Sequence, residues 1–391
     1  LETAPFVMGS GPEGSRVRPG EEASSVLQLS AVTSRRALSM LLVVALAASC
    51  GGGSTPAGPS PPAVTYPVPV VVFYDENGNG ILDPGEGARV PGVEANIGGH
   101  TALSDKVSGL AVVPGVPAGT GTVTVRPDTL PPFYRPPAAP LSVSVPPSSN
   151  TNVPLTLPIG SNTPSLYMAF GDSITVGDGS SDGAGYRDQL QGLLQGYFGR
   201  GALNNQGIGG TRSNTGAERI ADLLRHVRPA YTLILYGTND WNTPACKQSA
   251  PCFTIDSLSS IIGDVKAAGS LPVLATIPPA NPASFMFVAD RNAWVSAENV
   301  LIRALARDQG AALADIEAAF RSAAGSDLSQ LFSDHIHPND RGYAIIAASF
   351  FGAITQPGGT AATAARPTPS LFREPLRGLS PAPHAHPPHG G

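Results

Sequence analysis

Between residues 164 and 356, five short apolar runs alternate with segments whose apolar residues recur at helical spacing. No other feature constrains this chain as much. The runs fall at 165–170, 203–208, 231–237, 271–277 and 311–316. The segment 185–198 shows the intervening pattern, with Tyr186, Leu190, Leu193, Leu194 and Phe198 on one helical face. Alternation of this kind implies an α/β fold, a parallel sheet covered on both sides by helices. Such sheets bind ligands beyond the C-terminal ends of their strands.

The first run ends in "YMAFGDSITVGDG", residues 167–179, which places Ser173 at a strand's C-terminal end. A serine hydroxyl is a poor nucleophile at neutral pH and needs a base within hydrogen-bond reach. That base is normally a histidine oriented by a carboxylate. Of the seven histidines, three (His384, His386, His389) lie in a Pro-rich tail, His100 in a β-rich region and His226 on the polar side of a helix. "SDHIHPND", 333–340, is left. Asp334 precedes His337 by three residues, close enough for a turn to bring carboxylate to imidazole. His335 is the rival, but as a neighbour of Asp334 it points elsewhere. Two further strand ends offer donors for an oxyanion: the Gly-rich "NNQGIGGTRSN" (204–214) and "LILYGTND" (233–240), which delivers Asn239.

Taken in order, "GDSIT", "NQGIGGT", "GTND" and "DHIHP" resemble the four blocks of the SGNH (GDSL-type) hydrolases, over 164–356. The resemblance implies a three-layer α/β/α, flavodoxin-like domain with a five-stranded parallel sheet. It implies Ser173 as nucleophile and, through its own N–H, one oxyanion donor. Gly210 supplies a second N–H, with Gly207 and Gly209 as competitors, and Asn239 the third donor. His337 is the base and Asp334 its orienter, and catalysis needs no cofactor. Asp172 is read as bracing the turn and Asp240 as holding the Asn239 loop.

The remaining sequence is organised differently. The 391 residues include 45 Gly and 40 Pro, pointing to unstructured segments beside a folded core. Residues 1–31 read as a misread upstream segment. "SRRALSMLLVVALAASC" (34–50) has a basic start, a short apolar core and small residues before Cys50. It resembles a bacterial lipoprotein signal (32–49), which implies lipidation of Cys50 and a membrane anchor outside the cytoplasm. Residues 50–65 form a flexible tether, and 357–391 a disordered tail. Cys246 and Cys252 bracket "CKQSAPC", and in an exported chain they read as a local disulfide. The segment 241–256, with Trp241, is expected to rim the pocket.

From 66 to 158, short alternating runs punctuated by Pro and Gly read as a small β-sandwich. Within it, "DENGNGILDPGE" (75–86) sets oxygens at Asp75, Asn77, Asn79, Asp83 and Glu86, with the Ile81 carbonyl at the seventh position. This is the ligand order of a twelve-residue calcium loop. It resembles the loops of serine-aspartate-repeat adhesin domains, and implies structural Ca2+. A net charge of −5 argues against nucleic acid. The expected activity is hydrolysis of short acyl esters, such as acetyl groups on a polysaccharide. The other readings are a lipase, lysophospholipase or thioesterase acting on longer chains, and an inactive surface binding protein. The oligomeric state is not legible.

Overall fold

The computed structural model describes residues 62–248, 250–286 and 289–357. The signal segment, Cys50, nearly all of the tether and nearly all of the C-terminal tail lie outside the described residues.

Seven strands come first: β1 (Thr65–Tyr74), β2 (Glu94–Ile97), β3 (His100–Leu103), β4 (Leu110–Pro117), β5 (Gly119–Val125), β6 (Leu141–Val145) and β7 (Thr151–Leu155). They make a three-stranded sheet, β4-β1-β7, and a four-stranded sheet, β3-β2-β5-β6. Alternate residues such as Val68, Val70 and Val72 point inward, and Val123 and Val143 answer them from the other sheet.

A third sheet is built from β8 (Thr163–Gly171), β9 (Ala202–Gly207), β10 (Pro229–Leu235), β11 (Leu271–Ala275) and β12 (Ala312–Ala314). Its order is β12-β11-β10-β8-β9, and every neighbouring pair is parallel. The direction of winding reverses between β8 and β10, so the crevice for ligands opens at the C-terminal ends of those two strands. Strand β12 is shorter than its apolar run, because the Asp315 side chain accepts the Ala318 N–H and starts a helix there.

The helices are α1 (Ser173–Val176), α2 (Arg187–Phe198), α3 (Ser213–Val227), α4 (Pro244–Gln248), α5 (Thr254–Ala267), α6 (Ala289–Gln309), α7 (Ile316–Ala324) and α8 (Asp340–Thr355). Along β8, Tyr167 and Ala169 pack with α2, α7 and α8, while Met168 and Phe170 pack with α3, α5 and α6. Helices thus cover both faces of the sheet, in three layers.

The sandwich and the α/β layers share one core. Tyr134 lies 6.1 Å from Phe198 of α2, and Phe133 6.2 Å from Tyr231 near the start of β10. Polar contacts reinforce the seam: Tyr197 donates to the Pro91 carbonyl at 3.1 Å, and Arg200 to Glu76 at 2.7 Å. Tyr231 and the C-terminal end of α2 both belong to the N-terminal side of the sheet. The sandwich therefore docks away from the crevice.

Candidate active site

Strand β8 ends at Gly171, and the chain turns at once into α1. A Cβ on Gly171 would lie 2.2 Å from Thr175 Oγ1 and 2.4 Å from the Leu235 carbonyl oxygen, so only glycine fits. Asp172 then caps α1, its Oδ1 accepting the Ile174 N–H at 3.0 Å. Ser173 follows as the first helical residue, at the sheet's crevice.

Ser173 Oγ lies 2.9 Å from His337 Nε2. His337 Nδ1 lies 2.6 Å from Asp334 Oδ2. Asp334 Oδ1 also accepts the backbone N–H groups of Ile336 (2.8 Å) and His337 (2.7 Å), which closes the 334–337 turn. Burial pushes the Asp334 carboxyl up, but donation from His337 and Ile336 outweighs it and holds the group below the ordinary aspartate value. The carboxylate is therefore charged at neutral pH, as an orienter of imidazole must be. His335 does not compete: its Nδ1 stands 3.8 Å from Asp334, beyond hydrogen-bond range.

Asn239 sits on the turn after β10 and is buried. Its Nδ2 donates to the Thr211 carbonyl at 3.0 Å and approaches Asp172 Oδ2 at 3.4 Å. One amide hydrogen is thus firmly held, and the other has only a long contact. The Gly-rich turn after β9 passes over the serine. A Cβ on Gly209 would lie 3.8 Å from Ser173 Cβ, while one on Gly210, at φ +74°, would meet nothing within 4 Å. Of the two, Gly209 makes the closer approach to Ser173. Gly207 is wedged under α1, where a Cβ would fall 2.6 Å from the Val176 nitrogen.

The carboxyls behind the nucleophile are unusual. Burial raises Asp172 to about 7, with Asp240 and Asp178 adding to it against the Ile174 N–H. Asp240 is also pushed up by burial, against donation from Ser213 and Thr254. It accepts the Ser213 N–H at 2.9 Å, Ser213 Oγ at 2.6 Å and Thr254 Oγ1 at 2.8 Å, which ties the Asn239 turn to the starts of α3 and α5.

Several contributors carry no sequence motif. Asn281 donates its N–H to the His335 carbonyl and its side-chain amide to the Asp334 carbonyl, both at 2.9 Å, bracing the catalytic turn from outside. Arg291 is buried and donates to the Thr238 carbonyl at 2.7 Å, one residue before Asn239. Burial lowers its guanidinium to about 10.

The 246–252 segment departs from its expected place. Cys246 and Cys252 are bonded, but Cys246 is buried on α4, and Trp241 packs inward 5.7 Å from Trp294 of α6. Trp241 is core rather than rim, because the short turn after Asn239 points its ring under α6.

In the 75–86 loop, Asp75 accepts the N–H groups of Gly78, Asn79 and Gly80, and Glu86 those of Glu76, Asn77 and Asp83. The side-chain amides of Asn77 and Asn79 donate to Asp83 at 2.8 Å. Ile81 is exposed, its N–H given to Asn79. Among the described residues no three His, Cys, Asp or Glu side chains converge to hold a metal, and Asp75, Asp83 and Glu86 are no exception. The donor types and order suit calcium, but as it stands the loop spends its carboxylates on its own N–H groups.

Three solved structures resemble about half of this chain. An α/β hydrolase called LAE5 from the metagenome of Lake Arreo, Spain, is 26% identical, over 52% of this chain and 98% of its own, with a TM-score of 0.41. An acetylxylan esterase from Geobacillus stearothermophilus is 22% identical, over 49% and 95%, at 0.42. TesA is 23% identical, over 48% and 97%, at 0.39. No curated protein matches. The model of the GDSL-like lipase/acylhydrolase family matches residues 169–345, which run from the end of β8 into α8 and include Ser173, Asn239, Asp334 and His337. That stretch, just under half of the chain, belongs to the GDSL-like lipase/acylhydrolase family and makes this protein a carboxylic ester hydrolase.

Proposed function

We propose that the protein is a lipid-anchored serine esterase of the cell envelope that removes short acyl groups, such as acetyl, from a carbohydrate. The observation that carries the chemistry is the unbroken chain from Ser173 Oγ to His337 Nε2 (2.9 Å) and from His337 Nδ1 to Asp334 (2.6 Å). Ser173 Oγ attacks the ester carbonyl as its proton passes to His337 Nε2. Asp334 stabilises the imidazolium. The oxyanion is met by the Ser173 N–H, the Gly210 N–H and the Asn239 amide hydrogen that Thr211 does not hold. His337 then protonates the departing alcohol, leaving an acyl-serine. Water, deprotonated by His337, attacks it and releases the carboxylic acid.

The preference for short acyl groups is supported by the segment that follows Asn239, which the Cys246–Cys252 disulfide pins close to the site. One observation favours a second reading: Phe285 and Met286, on the loop that Asn281 pins to the catalytic turn, are exposed and would suit an amphiphilic ester. Hydrolysis of p-nitrophenyl esters from C2 to C16, beside Ser173→Ala, decides. Activity that falls with chain length supports the deacylase of small groups, and activity that rises supports the lipid reading. A folded protein inactive on all of them overturns the proposed reaction.

The anchor and location rest on Cys50 and its preceding segment. Retention in the membrane fraction by the full chain, and release by Cys50→Ser, is the result expected. Calcium is proposed as a structural ion of the 75–86 loop, held by Asp75, Asn77, Asn79, the Ile81 carbonyl, Asp83 and Glu86. The ligand order supports it, and binding requires Asp83 to give up its two asparagine partners.

A further inference from the structure

Arg219, on α3, has no carboxylate within salt-bridge distance among the described residues, yet it reaches three strand ends at once. Its Nη2 lies 2.6 Å from the Gln206 carbonyl at the end of β9, 3.3 Å from the Gly171 carbonyl at the end of β8, and 2.7 Å from the Tyr236 hydroxyl just past β10. Its guanidinium also lies 4.3 Å above the Phe170 ring. These are the strands that end in the serine, in the Gly-rich turn and in Asn239.

The contacts continue toward the site. The Tyr236 hydroxyl lies 3.3 Å from Thr211 Oγ1, and the Thr211 hydroxyl donates to the Ile208 carbonyl at 2.7 Å, which fixes the turn bearing Gly209 and Gly210. The Thr211 carbonyl is the acceptor that holds Asn239 Nδ2 at 3.0 Å. The one side-chain oxyanion donor, Asn239, thus traces back to one guanidinium through one phenol. Tyr236 is buried, with its ring against Phe170 at 5.2 Å, and cannot drift without disturbing the core.

We propose that Arg219 and Tyr236 form a positioning pair that sets the oxyanion hole: the Ile208–Thr211 turn on one side and the Asn239 amide on the other. Neither residue touches substrate. Their work is to hold donors where charge will develop, and a displacement of a fraction of an ångström weakens such donors steeply. The proposal rests on the esterase reading above.

The test uses Tyr236→Phe, which removes one oxygen and keeps the ring, with Arg219→Met and Arg219→Lys. On p-nitrophenyl acetate, Tyr236→Phe is expected to lower kcat about fivefold to tenfold, and Arg219→Met about 10- to 100-fold, with KM within about twofold. Arg219→Lys falls between, since an ammonium keeps the charge but not the fork. The double variant should be no worse than Arg219→Met, because both act through one path. A second readout is independent of turnover. The Asn239 side-chain amide signals, identified by their loss in Asn239→Asp, should shift in Tyr236→Phe and Arg219→Met relative to wild type. Unchanged kcat with a lowered Tm, or unmoved Asn239 signals, overturns the pair as a positioning device. A wild type inactive on every ester strikes the esterase reading instead, and the amide signals still decide this one.

Discussion

Asp334 grips His337 at two points, its Oδ2 2.6 Å from the ring Nδ1 and its Oδ1 2.7 Å from the backbone N–H of the same residue. One carboxylate therefore sets both the fold of the turn and the aim of the imidazole. Asparagine at 334 can keep the backbone contact through its carbonyl oxygen, but it loses the charge that stabilises the imidazolium. Asp334→Asn should lower kcat by about 10²–10⁴ with KM little changed. Asp334→Ala should in addition lower Tm, since the Ile336 and His337 N–H groups lose their shared acceptor. Steady-state kinetics and thermal melts on the two variants separate the roles, and an Asp334→Asn enzyme with wild-type kcat would remove Asp334 from the reaction.

Glu298 makes a prediction about pH. It is fully buried on α6, with Oε1 accepting the Cys252 N–H at 3.3 Å and Oε2 without a partner among the described residues. Burial raises its carboxyl from 4.5 to about 7, opposed by the Cys252 N–H and aided by Asp240. The folded state therefore holds a proton that the unfolded chain releases near pH 4.5. Between about pH 4.5 and 7 the native state binds more protons, so this group's contribution to stability declines as pH rises through that window. Glu298→Gln removes the dependence. Its Tm should gain on wild type as pH rises from 4.5 to 7 and hold a constant lead above about 8. Parallel Tm curves across that range would refute the assignment.

What the sequence reveals and what it hides divide along physical lines. Ser173, Asp334 and His337 were legible because their chemistry demands fixed residue types, and because Asp334 reaches His337 within one turn. Asn239 was legible from its place at a strand end. The strands were legible because both faces of the sheet are buried, so β10 and β11 read as nearly continuous apolar runs. Arg219 was not, because its strongest acceptor is a backbone carbonyl, which any residue supplies, 13 positions away. The Arg291 contact with the Thr238 carbonyl spans 53 positions and hides for the same reason. The sequence suggests the rim for Trp241 because it comes just after Asn239, but adjacency along the chain does not say which way a ring points. Choosing among Gly207, Gly209 and Gly210 needs φ values and contacts that composition cannot supply.

The 75–86 loop predicts a response to metal. Arg200 donates to Glu76 at 2.7 Å and to the Gly85 carbonyl at 3.0 Å, which fastens the loop to the hydrolase. Calcium bound there should stabilise the whole unit by about 2.7 kcal/mol when the ion stands at 100 times its Kd, and raise its unfolding midpoint accordingly. Asp75→Asn and Glu86→Gln should abolish the shift. Turnover at 25 °C should be indifferent to chelator, since the loop lies on the side of the sheet away from Ser173. Melts with calcium and with EDTA that superimpose would dismiss the ion.

Gly171→Ala tests whether the serine's place depends on how closely β8 approaches β10. The added methyl would lie 2.2 Å from Thr175 Oγ1, which can rotate away, and 2.4 Å from the Leu235 carbonyl oxygen, which cannot move without breaking the parallel pairing of β8 with β10. Overpacking of a well-filled interior costs roughly 1–3 kcal/mol, and more where backbone is the obstacle. The strands must therefore separate at their C-terminal ends, and Ser173 and Asn239, carried on those two ends, must separate with them. Gly171→Ala should lower Tm by several degrees and also lower kcat by more than tenfold at temperatures where the protein is still folded. Its residual reaction with a serine-directed organophosphate should slow in proportion, because that reaction uses the same nucleophile and the same donors. A variant that melts early but phosphorylates at the wild-type rate would mean that the strand ends absorb the methyl without moving the site.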